Sequence, residues 1–408
     1  MFVPDVFHVD LHVRVRTSFF VRKDEWAARE ARVFGISVAE MKSRPFRIAI
    51  FAPHFAEYSV RLAIALSRHA PVLLIVDRAN MAAECSERLL RRTRQSVEIF
   101  EFESTGRMNR ARSLMLILAR VLVFSPSVVS VQEQIDNLSA CVVRALRRIA
   151  PIALTVHDPR PHPGLDAEWV KANAENRLKM RAAASLFHVH GAFCAAQLRD
   201  EVGESLTIVE TPHGSILTPE PEQMRPSAAG RILMFGRMEA YKGLTVLLDA
   251  ADALRSRGVR FELSILGGGS ELIRNQARLA RDFINLREGF VAPEAAVAAF
   301  QNASIVVLPY TEATQSGVAA AAYANGRAVV ASRCGGLIDS VRDDVDGVLV
   351  PPGDAVALAN ALHRLLINSG ELARLTRAAR LAGETRFAWE PIAESLVCSF
   401  RETPEGGR

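Results

Sequence analysis

Short apolar segments rich in β-branched residues recur along most of the chain, and helical stretches of mixed polarity separate them. In the first half they lie at 47–53, 72–76, 97–102, 128–132, 152–157, 185–190 and 206–211. In the second half they lie at 231–236, 261–267, 284–291, 304–310, 328–332 and 347–350. Continuous apolar strands that alternate with helices predict parallel sheets covered by helices on both faces.

A segment rich in Pro and Glu, residues 217–230, interrupts this alternation and predicts a linker. The pattern therefore divides the 408 residues into two doubly wound α/β domains, at 46–216 and 231–388. An N-terminal extension, residues 1–45, precedes them, and a helix within 389–408 is predicted to pack back towards the N-terminal domain. Two such domains place a ligand between the carboxyl ends of their strands.

Composition indicates a globular protein, with 49% hydrophobic and 23% charged residues. The five cysteines form no CxxC pair, as is typical of reduced cytosolic thiols. The most apolar run, 113–131, is interrupted by Arg120 and Pro126 and predicts a buried helix followed by a strand. Because the first residues also lack the basic start and apolar core of a signal peptide, we expect a cytoplasmic protein.

The net charge of +5 is uneven along the chain. Residues 1–210 hold 29 Lys and Arg against 23 Asp and Glu, whereas residues 211–408 hold 21 against 22. Two arginine clusters, at 89–95 and 143–150, contribute to the basic excess. They are interpreted either as solvated helix faces or as a face for anionic lipid, with the protein peripheral on the inner face of the plasma membrane. No aromatic residues accompany the arginines, so nucleic acid is not predicted as a partner.

The segment FGRMEAYKGL, residues 235–244, carries the first chemical signal. A strand ends at Gly236, and Arg237 and Lys242 follow on a loop and a helix start. Two cations beside a helix N-terminus form a diphosphate site by electrostatics. An ordinary surface turn with two basic residues is the alternative.

Two further segments of the same half repeat the strand–turn–helix pattern. LGGGSEL places Gly267 and Gly268 in a glycine turn, which on its own also serves close packing. In PYTEATQSGVAAAAYANG, Gln315, Ser316 and Gly317 open a helix whose first N–H groups suit an anion. A fourth element, DVDGVLVPPGD, is a turn, a strand and a Pro-Gly exit.

These four elements, in this order, resemble the C-terminal domain of family 4 glycosyltransferases, which have the GT-B fold of two Rossmann-like domains facing a cleft. The resemblance covers about 230–400 by motif and 47–215 only in layout. It implies a UDP- or GDP-linked sugar as co-substrate, no further cofactor, no metal, and retention of anomeric configuration. The donor-binding residues expected from it are Gly236, Arg237, Lys242, Gly267, Gly268, Phe290, Val291, Gln315, Ser316 and Gly317.

One part of the family's pattern is absent. The second Glu of its Glu-x7-Glu motif, which holds the donor ribose, falls at Ala321, and the first falls at Ala313 with Glu312 one place earlier. Arg237, Lys242 and Glu312 are nevertheless expected to act in catalysis, because decay would also have removed the cations. The run of four alanines predicts that a bulky group packs against this helix.

The N-terminal half offers candidate residues in the segment TVHDPRPHPG and its neighbours. The family places a His facing the donor sugar where His157 lies, which makes it a catalytic candidate, and a loop-capping His is the open alternative. His54, Asp158, His162 and His213 are candidates for the acceptor side.

No metal site is predicted. His157 and His162 are separated along a Pro-rich loop, and His188 and His190 lie on one strand. The segment RDDVDG aligns with an acidic turn of the family.

The sequence thus predicts a transferase that moves a sugar from a nucleotide donor to a glycan or polyprenyl-phosphate-linked acceptor, in bacterial surface polysaccharide assembly. A catalytically silent nucleotide-sugar-binding subunit and another GT-B enzyme, such as a sugar-nucleotide epimerase, are the alternatives.

Overall fold

The computed structural model describes residues 45–160, 165–204, 206–219 and 229–403. Almost all of the N-terminal extension, most of the predicted linker, and His162 lie outside these residues. From Phe46 onward the described residues form one compact unit that contains both sheets.

The first sheet has seven parallel strands in the order β3-β2-β1-β4-β5-β6-β7. β1 lies between β2 and the central strand β4, with Ile48 opposite Val72 on one side and Val128 on the other. The strands are β1 (Ile48–Ala52), β2 (Val72–Asp77), β3 (Glu98–Phe102), β4 (Val128–Gln132), β5 (Ile152–Thr155), β6 (Leu186–His190) and β7 (Ile208–Thr211).

Helices cover both faces of this sheet because successive residues of a strand point to opposite sides. Ile48 and Ile50 pack with the layer that contains α1, α2 and α3, whereas Ala49 and Phe51 pack with the layer that contains α4, α5, α7 and α8. The helices are α1 (Ala56–Leu66), α2 (Arg78–Glu84), α3 (Glu87–Thr93), α4 (Arg107–Phe124), α5 (Asn137–Leu146), α6 (Leu165–Ala172), α7 (Ala174–Ala183) and α8 (Ala192–Val202).

The second sheet has six parallel strands in the order β10-β9-β8-β11-β12-β13. Its strands are β8 (Arg231–Phe235), β9 (Glu262–Gly267), β10 (Ile284–Glu288), β11 (Ile305–Leu308), β12 (Ala328–Ser332) and β13 (Gly347–Val350). Its helices are α9 (Leu244–Ser256), α10 (Ser270–Arg274), α11 (Gln276–Leu279), α12 (Pro293–Asn302), α13 (Gly317–Ala324), α14 (Leu337–Ser340), α15 (Ala355–Ile367) and α16 (Ser369–Glu384). Both strand orders reverse direction at the first strand, which is the doubly wound arrangement that the sequence predicts.

The last helix, α17 (Trp389–Glu402), returns to the N-terminal domain. Its buried residues join the core around β1 and α1, with Leu396 fully buried there. At its start, the Trp389 indole Nε1–H donates to the Ser215 carbonyl at 2.7 Å. A side chain at Gly214 would collide with this indole, because its Cβ would lie 2.4 Å from the ring. Helix α17 is therefore held against the N-terminal domain by both its buried face and Trp389.

The apolar run at 113–131 folds as the second part of α4 followed by the buried strand β4. The predicted order is correct, but the prediction of a buried helix is wrong in part, because Met115, Leu116, Leu122 and Val123 of α4 are exposed. Within the described part of the chain, no helix combines the length and apolar character needed to cross a bilayer.

Candidate functional site

The carboxyl ends of the N-terminal strands meet the start of α13 from the C-terminal domain. A Cβ at Gly317 would lie 3.3 Å from His213 Cε1 and 3.3 Å from Ile216 Cδ1. Asp158, after β5, accepts a hydrogen bond from the Thr314 hydroxyl just before α13. The fold therefore brings predicted residues of both halves, distant in sequence, to one cleft.

Arg237 and Lys242 flank a single 3₁₀ turn, Ala240–Lys242, after β8. Arg237 is exposed, and the Lys242 Nζ lies 3.9 Å from the centre of the Tyr310 ring. Burial lowers the pKa of Lys242, and the nearby Arg237 adds to that effect while Asp158 opposes it. A lysine that is already desolvated interacts more strongly with an incoming anion than one in bulk water.

The start of α13 lies beside these cations. Gly236, at the end of β8, approaches Val318 of the first turn of α13, since its Cβ would lie 3.8 Å from Val318 Cγ2. The Ser316 hydroxyl caps the helix by accepting from the Ala319 N–H at 3.2 Å. The first N–H groups of a helix have no partner within it, so this end presents donors and the positive pole of the helix dipole.

The glycine turn after β9 has a packing reason of its own. A Cβ on Gly267 would lie 1.9 Å from the Gly236 carbonyl oxygen, and one on Gly269 would lie 2.5 Å from the Met238 carbonyl oxygen. Only glycine permits this approach of two backbones. Gly268 joins the same contact, because its carbonyl accepts from the Met238 N–H at 2.8 Å. These glycines hold the loop that carries Arg237 against the neighbouring strand.

The remaining predicted donor residues are placed less closely together. Phe290 follows the edge strand β10 and is 74% exposed, whereas Val291 packs against the core. Glu312 is exposed on the loop before α13. Gln315 lines a cavity of about 210 Å³ together with His190 and His213.

His157 is buried at the end of β5. Its Nε2 lies 2.9 Å from Gln132 Oε1, and its Nδ1 lies 3.2 Å from His190 Nε2. The ring of Phe55, which has a left-handed backbone conformation (φ 59°), lies 4.1 Å from the His157 ring between centroids. His54 is exposed and lies on the other side of Phe55, with ring centroids 4.5 Å apart. Positive φ in a residue other than glycine is costly and is concentrated at functional sites.

Tyr58 of α1 holds the histidines together. Its ring makes edge contacts with His157, His190 and His213, at centroid distances of 5.0, 5.5 and 5.2 Å. It also contacts Trp389 at 4.9 Å, which links the cluster to the returning helix α17. The His213 Nδ1 lies 2.8 Å from the Gly214 carbonyl, a contact that fixes its orientation.

Sequence reasoning missed His190, Tyr58, Phe55 and Gln132 as parts of this site. His190 ends β6, between the strands that lead to His157 and His213. Because neighbouring parallel strands end at one edge, the strand order would have indicated His190. Nothing in the local sequence points to Tyr58, whose role comes from the packing of α1.

The structure creates a possible metal-binding group that the sequence analysis did not foresee. His157, His190 and His213 each offer a ring nitrogen within 4.8 Å of the others. A second group, formed by His69, Glu390 and Glu394, has the same spacing. The histidine pairs weighed from the sequence were neighbours along the chain, whereas these three meet only through the sheet.

The acidic residues of RDDVDG have structural partners. Asp346 is fully buried, accepts from the Tyr323 hydroxyl at 2.9 Å, and pairs with Arg342 and Arg386 at 2.7 and 2.9 Å. The Asp343 carboxylate accepts from the Leu349 N–H at 2.8 Å. These contacts agree with the interpretation of this segment as a structural turn.

The alanine run of α13 is wholly inside the protein. Ala319–Ala322 have no exposed surface and share a core cluster with Ala379 and Ala382 of α16. The two helices approach so closely that a Cβ on Gly383 would lie 2.2 Å from the Tyr323 carbonyl oxygen. The same cluster also contains the large side chains Phe300 and Phe387, so the expectation of a bulky group against this helix stays a prediction. Close helix packing through small residues fills much of the space around it.

Comparison with known proteins agrees with this architecture. Residues 229–368 match the family described as Glycosyl transferases group 1. A D-inositol 3-phosphate glycosyltransferase of Saccharomonospora viridis is 34% identical over 189 residues, which cover 43% of this chain and 44% of that protein. An amylovoran biosynthesis glycosyltransferase of Erwinia amylovora is 33% identical over 180 residues, covering 41% of this chain and 44% of that protein. The chain thus matches less than half the length of these curated relatives.

Solved structures extend the likeness to both domains. Sucrose-phosphate synthase from Thermosynechococcus elongatus has a TM-score of 0.65 at 20% identity and covers 88% of this chain and 98% of its own. Anabaena HepE in complex with UDP-glucose has a TM-score of 0.63 at 16% identity, and the match covers 88% of this chain and 100% of HepE. The fold is GT-B, as predicted. The match to the glycosyltransferase family lies in the C-terminal half of the chain, whereas the likeness in fold covers both domains.

The neutral histidines predict an acid-sensitive fold. Burial lowers the pKa of His157 to about 3 and that of His213 to about 4, from an ordinary value of 6.5. Below pH 6.5 the unfolded chain takes up protons at these residues while the folded protein does not. We expect the free energy of unfolding to fall as the pH drops from 6.5 towards 4, by about 1.4 kcal/mol per pH unit for each proton involved.

Urea unfolding at a series of pH values measures this effect. The slope of the unfolding free energy against pH reports how many protons the chain takes up when it unfolds, and in His157→Gln this number should be smaller by about one. In His363→Gln, on α15 away from the cleft, the slope should be that of the wild type. An unfolding energy that stays level down to pH 5 would show that the cleft histidines titrate normally.

The alanine packing predicts the result of restoring a carboxylate in Ala321→Glu. The new charge would lie in the core around α13, where Ala321 is fully buried, without a partner, and we expect a loss of unfolding free energy of more than about 3 kcal/mol or a loss of donor binding. Ala298→Glu, at an exposed position of α12, serves as the control. A stable Ala321→Glu variant that binds the donor more tightly than wild type would contradict this prediction.

Proposed function

We propose that the protein transfers a sugar from a nucleotide-sugar donor to a glycan or polyprenyl-phosphate-linked acceptor, in the assembly of a bacterial surface polysaccharide. The observation that carries the proposal is the convergence of Arg237, Lys242 and the start of α13 at one end of the C-terminal sheet. Three independent sources of positive potential meet there, which suits the diphosphate of a nucleotide sugar.

The proposed chemistry is stabilisation of the leaving group. When the bond between the sugar and the diphosphate breaks, negative charge grows on the departing phosphate oxygens. Arg237, Lys242 and the N–H groups at Ser316 and Gly317 are proposed to offset this charge. With retention of configuration, the acceptor hydroxyl attacks from the face that the diphosphate leaves, and its proton passes to the departing phosphate.

The N-terminal side of the cleft supplies neutral hydrogen-bonding groups. His157 and His213 are uncharged near neutral pH because burial lowers their pKa values to about 3 and 4. His213, whose Nδ1 faces the Gly214 carbonyl, is proposed to hydrogen-bond a sugar hydroxyl through Nε2, and a neutral imidazole there does not repel the cationic anomeric centre. Both ring nitrogens of His157 are engaged by Gln132 and His190, so His157 is proposed to position the cluster. Asp158, held by Thr314, lies between the histidines and Lys242 and is proposed to orient the acceptor.

Related structures support the choice of donor. HepE, which shares the fold, is described in complex with UDP and with UDP-glucose. A panel of UDP- and GDP-linked sugars should therefore include a compound that raises the thermal unfolding midpoint, and nucleotide release with and without acceptor glycans then tests transfer. If no nucleotide sugar stabilises the protein, the proposal is wrong.

A second function is favoured by one observation, the buried alanine helix that offers no carboxylate to the ribose. A nucleotide-sugar-binding subunit without transfer activity would bind the donor in this panel but would release no nucleotide with any acceptor. The two functions are therefore separated by the release measurement.

The cation pair predicts a specific loss of turnover. We expect Arg237→Ala and Lys242→Ala each to lower nucleotide release by a factor of roughly 100 to 1,000, because each removes a charged donor to the leaving group. Donor-independent unfolding should be unchanged in Arg237→Ala, which alters an exposed side chain. Arg255→Ala, on the exposed side of α9, is the matched control. Wild-type rates in both cleft variants would remove the diphosphate assignment.

Metal removal gives a separate prediction. We expect nucleotide release to persist in EDTA, because side-chain cations and a helix terminus supply the positive charge at the diphosphate. A loss restored by magnesium would mean that a metal bridges the diphosphate. A loss restored by zinc would instead make His157, His190 and His213 a metal centre.

A further inference from the structure

Helix α4 has an unusually apolar solvent-facing side. Five of its large apolar side chains are exposed, including Met108 at 87%, Val123 at 74% and Met115 at 66%. The other two are Leu116 and Leu122. Isolated exposed apolar residues are common on protein surfaces, but a contiguous set on one element indicates an interaction site.

These residues form one continuous stripe. Met108, Met115 and Leu122 are seven residues apart and therefore lie above one another on a helix. Ala111, Leu116, Ala119 and Val123 are also exposed and fall beside them, so the apolar stripe runs from Met108 to Val123, about 24 Å along α4. The opposite side of the helix, with Ile117 and Val121, fills the core of the sheet.

The charge of the helix is entirely positive. It contains arginines at 107, 110, 112 and 120 and no Asp or Glu. Arg112 is exposed within the stripe. The nearest acidic side chains are already engaged, since Glu98 pairs with Arg120, and Glu103 pairs with Arg78 at 2.9 Å.

The neighbouring helix extends the positive surface. α5 packs beside α4 in the same layer, and Arg144, Arg147 and Arg148 at its end are exposed. The other arginine cluster, around Arg91 of α3, belongs to the layer on the opposite face of the sheet. Of the two clusters considered from the sequence, only the one at 143–150 therefore shares a face with the stripe.

We propose that the α4 stripe is a membrane-docking surface that lies in the interface of an anionic lipid layer, with its apolar residues among the acyl chains and the arginines at the phosphates. A surface that combines exposed apolar side chains with arginines, as α4 does with Arg110 and Arg112, is suited to a lipid interface. The apolar side chains insert into the acyl region of the lipid layer, and the arginines make the protein prefer anionic headgroups.

Charge argues against two other partners for the stripe, a second copy of the chain and residues 1–44. A second copy bound through the same stripe would bring identical arginines of two chains together. Residues 1–44 hold eight Lys and Arg against six Asp and Glu, so they do not offer a complementary negative charge. An anionic lipid surface complements both the apolar and the positive parts of the stripe.

The test uses the full chain and vesicles of phosphatidylglycerol mixed with phosphatidylcholine, without donor or acceptor. We expect the protein to cosediment with these vesicles, and the double variant Met115→Asp, Leu122→Asp to lose at least about tenfold in binding. The matched control is Val356→Asp, Ile367→Asp, which alters two similarly exposed apolar residues on α15 and should bind like wild type. Unchanged urea midpoints confirm that both double variants are folded.

Insertion is separated from simple charge attraction by a depth measurement. In Met115→Trp, the added fluorescence should be quenched by lipids brominated in their acyl chains, whereas in Val356→Trp it should not. Arg112→Glu should weaken binding to anionic vesicles and leave the weak binding to pure phosphatidylcholine unchanged.

Three results would overturn the proposal. They are no cosedimentation at low salt, equal binding by the α4 double variant and wild type, and concentration-dependent self-association that the α4 double variant abolishes. The third result would assign the stripe to a second copy. Because no donor is present, these results are independent of whether the proposed sugar transfer is correct.

Discussion

The return of α17 to the N-terminal domain is the contact on which the arrangement of the cleft depends. Trp389 at its start is fixed by the Ser215 carbonyl and lies against Tyr58, and Tyr58 in turn contacts three histidines from the ends of β5, β6 and β7. The end of the chain thus supports the wall of the cleft that faces α13. Helix α17 follows the C-terminal domain in the sequence but packs in the core of the N-terminal domain. This connection also restricts how far the two sheets can separate.

The two sides of the cleft differ in their physical character. The C-terminal side carries fixed positive charge on Arg237, Lys242 and the start of α13, whereas the N-terminal side carries imidazoles that burial keeps neutral. This division suits a reaction in which one half of the ligand is a dianion and the other half is an uncharged sugar. It also explains why Asp158 matters, because it is the carboxylate that reaches across to Thr314 between the two sides.

The sequence predicts most of the fold because parallel strands buried on both faces form continuous apolar runs. Every predicted strand from 47–53 to 347–350 is present, with ends shifted by at most a few residues. The cation loop and the start of α13 were predictable because glycine, arginine and lysine there follow strand ends.

The histidine cluster was only partly predictable, since His190 joins it through strand order and Tyr58 through helix packing. The approach of α16 to the alanines was not predictable, because the sequence shows small residues without showing which element packs against them. The exposed stripe of α4 was not predicted either, because an apolar helix of this length is typical of a protein core.

The contact between α13 and α16 has a consequence for how the protein could change over generations. Gly383 has no room for a side chain against Tyr323, and the alanines of both helices are matched to that separation. A larger side chain on the side of α13 that faces α16 becomes tolerable only if α16 moves away, and a larger residue at Gly383 requires the same of α13. The two helices are therefore epistatic, so that a larger residue in one requires a compensating change in the other.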